Sequence, residues 1–221
     1  MTKASHAKET HMPKETFFNL PEEKQHRILD ISLEEFYVQG YEKASISRIV
    51  ETAGIAKGSF YQYFEGKEDL FRFIVQVARE KQLVYASKLL EGARDLPFFQ
   101  LLEVLLKGSL AFMKENPRLS AVIERFMKSS DVALKEVIIG ENIKISDQFN
   151  QQFLTEAAAK NEIRPVLNIA FTAHMMTSLS QSMVDYLRSQ DTELSSMDDQ
   201  AFDDMIKELL IFLKHGLSGP V

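Results

Sequence analysis

Polar chemistry is most concentrated in residues 53–70, Ala-Gly-Ile-Ala-Lys-Gly-Ser-Phe-Tyr-Gln-Tyr-Phe-Glu-Gly-Lys-Glu-Asp-Leu. Within one turn of a short helix starting near Ala56, Lys57 brings a cation, Gly58 leaves room for another backbone to approach, and Ser59 offers a small donor and acceptor. Free N–H groups and the helix dipole at such a start favour a phosphate. Phe60 and Phe64 are four apart and share a face directed inward. Tyr61, Gln62 and Tyr63 then fall nearer the outside, the tyrosines suited to phosphates or thymine methyls and Gln62 to an adenine edge. Spacing alone leaves a second reading open, because aromatics at helical intervals are commonly core.

The elements that must hold this stretch can be read around it. Residues 1–18 are polar and aperiodic at their start and are expected to be a disordered leader. Asn19 can cap a first helix with Pro21 in its opening turn; Ile28, Leu29, Leu33 and Phe36 form its inner stripe, and Gly40 stops it. Ser45 or Ser47 can cap a second helix that passes through Ile49, Val50 and Ala53 and ends at Gly54. A third, from Ala56 to Tyr63, follows after three residues, so the two form a helix-turn-helix. Lys67 opens a long helix through Leu70, Phe71, Ile74, Val77 and Ala78. Beyond Pro97 the periodicity stays helical, with breaks near Asn116-Pro117, Ser129-Ser130-Asp131, residues 161–165 and residues 191–198. The expected fold is all-α, about nine helices, with a small domain at 19–66, a larger one at 67–215 and a tail at 216–221.

Composition excludes several classes. The chain has no cysteine, so disulfides, thiolate metal sites and cysteine nucleophiles are out. Its five histidines include no pair at the i, i+4 spacing of a helical zinc site, and the acids Asp198, Asp199, Asp203 and Asp204 read as a solvated helix start. A glycine-rich phosphate loop and a nucleophile with a histidine base are both missing, which argues against an enzyme and against any cofactor. No apolar run has the length of a membrane span and no secretory signal is evident, so a cytoplasmic protein without membrane partners is expected. The net charge of -6 opposes binding to nucleic acid in bulk. Locally the sign reverses: in residues 43–67, Lys43, Arg48, Lys57 and Lys67 outnumber Glu51 and Glu65.

The C-terminal two thirds is rich in Phe and Met. Phe112, Met113, Phe126, Phe149, Phe171 and Met175 are candidate walls of an adaptable pocket for a largely apolar small molecule, with His174 as its polar member and Glu124 or Arg125 as orienting charges. Two helices carry broad apolar stripes: Met176, Leu179, Met183 and Leu187 on one, and Phe202, Met205, Ile206, Leu209, Phe212 and Leu213 on the other. Either stripe can serve an intramolecular core or a subunit interface.

From Ile28 to Leu70 the chain resembles the tetracycline-repressor (TetR) family of bacterial regulators. The resemblance is carried by Gly40-Tyr41-Glu42, residues 45–49, Ala53-Gly54-Ile55-Ala56-Lys57-Gly58, Tyr61-Gln62-Tyr63-Phe64 and Lys67-Glu68-Asp69-Leu70. It implies DNA contacts by Ser45, Ser47, Lys57, Gly58, Ser59, Tyr61, Gln62, Tyr63 and Lys67. Ala56, where many members have serine, and the negative Glu65 depart from the pattern and imply modest affinity for one half-site. The resemblance further implies a homodimer paired through the two striped helices, double-stranded operator DNA as partner, and a small-molecule effector that releases it. The acidic chain also leaves open an interaction protein whose helix-turn-helix is a scaffold without DNA affinity.

Overall fold

The computed structural model of the chain describes residues 13–93, 95–164, 168–189 and 198–217. These residues form ten helices and no strand: α1 (Glu15–Phe18), α2 (Glu22–Lys43), α3 (Ile46–Ala53), α4 (Lys57–Tyr63), α5 (Lys67–Gly92), α6 (Phe98–Glu115), α7 (Pro117–Met127), α8 (Val132–Ala159), α9 (Ile169–Ser189) and α10 (Asp199–Leu217). The expected all-α class is met. The added element is α1, in a stretch expected to belong to the leader; Phe17 there is fully buried. Four aromatic rings surround it, which is ample reason for the preceding turn to order. Residues 1–12 of the expected leader lie outside the described residues, as do residues 218–221 of the expected tail.

Two compact units emerge, residues 1–78 with 122–129, and residues 79–121 with 130–221. The first reaches past Gly66 because the opening of α5 supplies core: Leu70, Phe71, Phe73 and Ile74 are all buried. The second half of α7 joins it because Phe126 seats on Tyr41 and Phe71, with centroids 5.1 and 4.5 Å away.

Inside this unit the punctuation follows backbone chemistry. Asn19 closes α1 rather than opening α2, its N–H donating to the Glu15 carbonyl, and the N-cap position of α2 falls to Pro21. Gly40 breaks α2 at φ 73°, ψ 164°, a conformation essentially restricted to glycine. Gly54 turns α3 toward α4 in the left-handed region. Arg125 lies against Gly40 and donates to the Tyr37 carbonyl at 3.2 Å, satisfying a last-turn acceptor.

Among the described residues of the second unit, apolar side chains gather in clusters. One holds Phe98, Leu102, Phe153, Leu154, Ala157, Ile163, Ala173, Met176 and Leu213; another holds Leu110, Phe202 and Ile206, with Met113, Met183 and Met205 packed on it. Gly108 lets α5 and α6 close up, since a Cβ there would meet Leu89 at 2.2 Å. Among the described residues, no helix is long and apolar enough to cross a membrane.

Candidate nucleic-acid interface

The helix-turn-helix is α3, the turn at residues 54–56, and α4. It is seated from within: Ile49, Val50, Ala53, Phe60, Tyr63 and Phe64 are buried. Seven residues make only two turns, too few for a helix that is stable by itself, so packing must set the orientation of α4. The polar residues are left on the other side. Ser47, Lys57, Gly58, Tyr61 and Gln62 are exposed, and Ser45, Ser59 and Lys67 are partly so. Lys57 Nζ donates to Ser47 Oγ at 3.4 Å, tying the two helices together on the open face.

Lys67 is held on two sides. Its ammonium donates to the Glu42 carbonyl at 2.9 Å and stands 4.8 Å from the Tyr41 ring centroid, a cation–π distance. The loop before it is pinned by buried Asp69, which accepts from the Glu65 N–H at 2.8 Å. The charge thus sits at the last turn of α2, held by a carbonyl and a ring.

Arg48, counted among the local cations, is committed elsewhere. Its Nε and an Nη reach Glu35 Oε1 at 2.9 and 2.5 Å, and the same oxygen accepts from the Ser45 N–H at 2.8 Å. Ser45 occupies the N-cap position of α3, yet its own side chain makes no cap bond; Glu35 accepts the Ser45 N–H at that position. Burial alone would raise the Glu35 pKa. The hydrogen bonds from Arg48 and Ser45, with the Arg48 charge, outweigh it and hold the carboxyl below its ordinary value. Sequence reasoning missed Glu35 because its partners are ten and thirteen residues away, on another helix.

Tyr63 must be corrected. It is only 6% exposed, with Phe17 edge-on at 6.1 Å, so it packs and does not read bases. It lies three residues after Phe60, on the same inner face.

The expected pocket walls have different neighbours. Phe126 belongs to the core around Tyr41 and Phe71. Phe112 meets Tyr85, Met113 joins the cluster of Leu110 and Phe202, and Phe149 stacks on Phe153. Phe171 and Met175 are 61% and 44% exposed on α9, turned to its outer side. His174 is exposed too, its Nδ1 2.9 Å from Asp147 Oδ2 on α8. Of the candidate orienting charges, Glu124 is buried beside Lys128 at 3.5 Å and Arg125 is engaged with Tyr37. A residue missed by sequence reasoning is Arg79, whose Nε is buried without a hydrogen-bond partner. Burial pulls its pKa down against the opposing charges of Glu141 and Glu80. Its position directly after the stripe of α5, beside Ala78, was the only signal available.

The striped helices also divide differently from expectation. Met176, Phe202, Ile206 and Leu213 are buried in the chain's own clusters, while Leu179, Met183, Met205 and Leu209 are partly buried around them. Phe212 of the expected stripe is 63% exposed, and Phe171, Met175 and Ile211 on the same two helices are exposed as well. One residue on a helix is a rotation of about 100°, enough to exchange Met176 for Met175. The side chain of Leu187 lies outside the described residues. Three acids at the start of α10 face lysines: Asp199 pairs with Lys114, Asp203 with Lys107 at 3.2 Å and Asp204 with Lys207 at 3.0 Å.

Residues 28–74 match the family described as bacterial regulatory proteins, tetR family. A TetR family transcriptional regulator of known structure from Chloroflexus aurantiacus is 30% identical, the match covering 95% of this chain and all of that one with a TM-score of 0.52. The fatty acid metabolism regulator protein of Bacillus subtilis is 23% identical over 68% of this chain and 76% of its own length. The structure of FadR from Bacillus subtilis in complex with stearoyl-CoA matches 84% of this chain and 97% of that one, at 22% identity and a TM-score of 0.62. With a helix-turn-helix at the matched residues and end-to-end similarity to the Chloroflexus protein, this chain belongs to the TetR family of bacterial transcriptional regulators.

Proposed function

We propose that the chain is a repressor that binds a palindromic operator as a homodimer and is released by a small, largely apolar ligand. The observation carrying this reading is the polar face of the helix-turn-helix. Ser47 and Lys57 are joined across it, Lys67 is fixed beside it, and Gly58, Tyr61 and Gln62 stand open on it. Lys57 and Lys67 neutralise phosphates, with Ser45, Ser47 and the Tyr61 hydroxyl as further backbone contacts. Gln62 and Ser59 are left to read base edges. Such a dimer sets two α4 helices into major grooves about 34–36 Å apart.

Dimerisation is supported by Phe171, Met175, Ile211 and Phe212, a set of large apolar side chains that water does not favour leaving open. For the ligand, the relatives give a first probe: FadR of Bacillus subtilis was solved with stearoyl-CoA. In this chain Arg79, partly buried and with a buried Nε donor that has no hydrogen-bond partner, is the cation we assign to the anionic end of such a molecule. Release then follows from unequal ligand affinity for DNA-fitting and non-fitting states.

Selection of bound duplexes from a random pool tests the reading. Enrichment of a palindrome, bound more weakly and with a smaller salt slope by Lys57→Ala, is the expected result. A pool that stays unenriched overturns the repressor and leaves a helical scaffold. Stearoyl-CoA that leaves the operator complex intact overturns the long-chain acyl ligand alone.

A further inference from the structure

The last turn of α4 has carbonyl groups that its own helix leaves unpaired, as every helix end does. Phe60 O is taken by the Phe64 N–H at 2.9 Å, and the following three are taken by one short stretch upstream of α2. The Lys14 ammonium donates to Tyr61 O at 3.0 Å, the Thr16 hydroxyl to Gln62 O, and the Lys14 N–H to Tyr63 O at 2.9 Å. Lys14 also pairs with Glu65 at 3.0 Å, so its cation stands at the negative end of the helix dipole. Beneath these bonds Phe17 is fully buried, 5.1 Å from Phe64 and 5.6 Å from Phe73.

Residues separated by nearly fifty positions thus close the end of a two-turn helix that carries Tyr61 and Gln62 on its open face. A helix this short has little stability of its own, so its tilt and fraying depend on what holds its ends. We propose that residues 14–17 are a clamp that positions the recognition helix: Lys14, Thr16 and Phe17 set DNA affinity without touching DNA. The inference rests on the reading of α4 as the DNA-contacting helix. Lys14 is a positioning residue here because its ammonium is already shared between a carbonyl and Glu65.

The test uses the full chain with Thr16→Val, Thr16→Ser and Lys14→Met, read by amide hydrogen exchange and by titration of the selected duplex at several salt concentrations. One lost hydrogen bond corresponds to a change of about fivefold to tenfold. Thr16→Val is expected to speed exchange at the α4 amides, that of Phe64 included, by about that factor while the amides of α2 and α8 keep their rates. Duplex affinity falls by a similar factor, and Thr16→Ser restores both. Lys14→Met weakens binding with the salt slope unchanged, whereas a direct phosphate contact would lower that slope by about one. The clamp is overturned if Thr16→Val leaves α4 exchange and duplex affinity as in the parent, or if Lys14→Met reduces the salt slope. Failure of the parent chain itself to bind any duplex overturns the DNA-contacting role of α4, a result that cannot be confused with loss in the variants alone.

Discussion

Gly58 separates stability from function more sharply than any other position on the interface. It lies inside α4 at an ordinary helical φ, and a Cβ built on it meets nothing within 4 Å. Gly58→Ala therefore introduces no clash in the free protein, and alanine's better helix propensity raises stability by between zero and about 1 kcal/mol. In the proposed operator complex the same Cβ would stand in the gap through which the DNA backbone approaches. Overfilling a close contact costs about 1–3 kcal/mol, or roughly 5-fold to 150-fold in affinity at one half-site. A symmetric dimer makes the contact twice, so the loss at a full operator is roughly the square of that factor. Thermal unfolding by circular dichroism and anisotropy titration of a labelled operator measure the two effects side by side. A variant that melts no lower than its parent yet binds the full operator at least about 25-fold more weakly is the expected outcome. Parental affinity in a correctly folded variant refutes the placement of Gly58 at the DNA; a fall in Tm refutes the claim that the site is open.

Gly40→Ala is expected to act oppositely, lowering stability by about 1–3 kcal/mol through its φ of 73° and displacing Arg125, whose Nε lies 3.0 Å from the new Cβ; a urea melt with an unchanged midpoint counters this. Glu35 ties stability to pH: its folded pKa is depressed, so its contribution is present above the unfolded value of about 4.3 and lost as pH falls through the lower folded value. Glu35→Gln should consequently flatten the decline of Tm below about pH 5, and a parallel decline in both proteins speaks against the network with Ser45 and Arg48. Phe212→Glu places charge on a side chain that is 63% exposed, so it should leave the fold intact while halving the mass seen by light scattering; an unaltered dimer removes this face from the interface.

The sequence by itself determined the all-helical class, the helix-turn-helix and most of its punctuation. These are local matters. Gly40 and Gly54 stand where the backbone needs a positive φ, and Phe60 and Phe64 share a face at any helical geometry. On the open side, Tyr61 and Gln62 were legible from the same periodicity and Lys57 and Gly58 from their place in the first turn of α4, whereas Ser47 was singled out by the family resemblance. Only the tertiary structure decided what covers what. Tyr63 turned from candidate reader to core because Phe17, forty-six residues earlier in a stretch expected to be leader, packs against it. Glu35, on another helix, took the Ser45 N–H at the α3 cap, and Met175 was left exposed on α9 where Met176 is buried. Periodicity says that a helix has an apolar side; it does not say whether that side meets the same chain or a second one. That choice depends on contacts between residues far apart in sequence, which hydrophobic pattern alone does not encode.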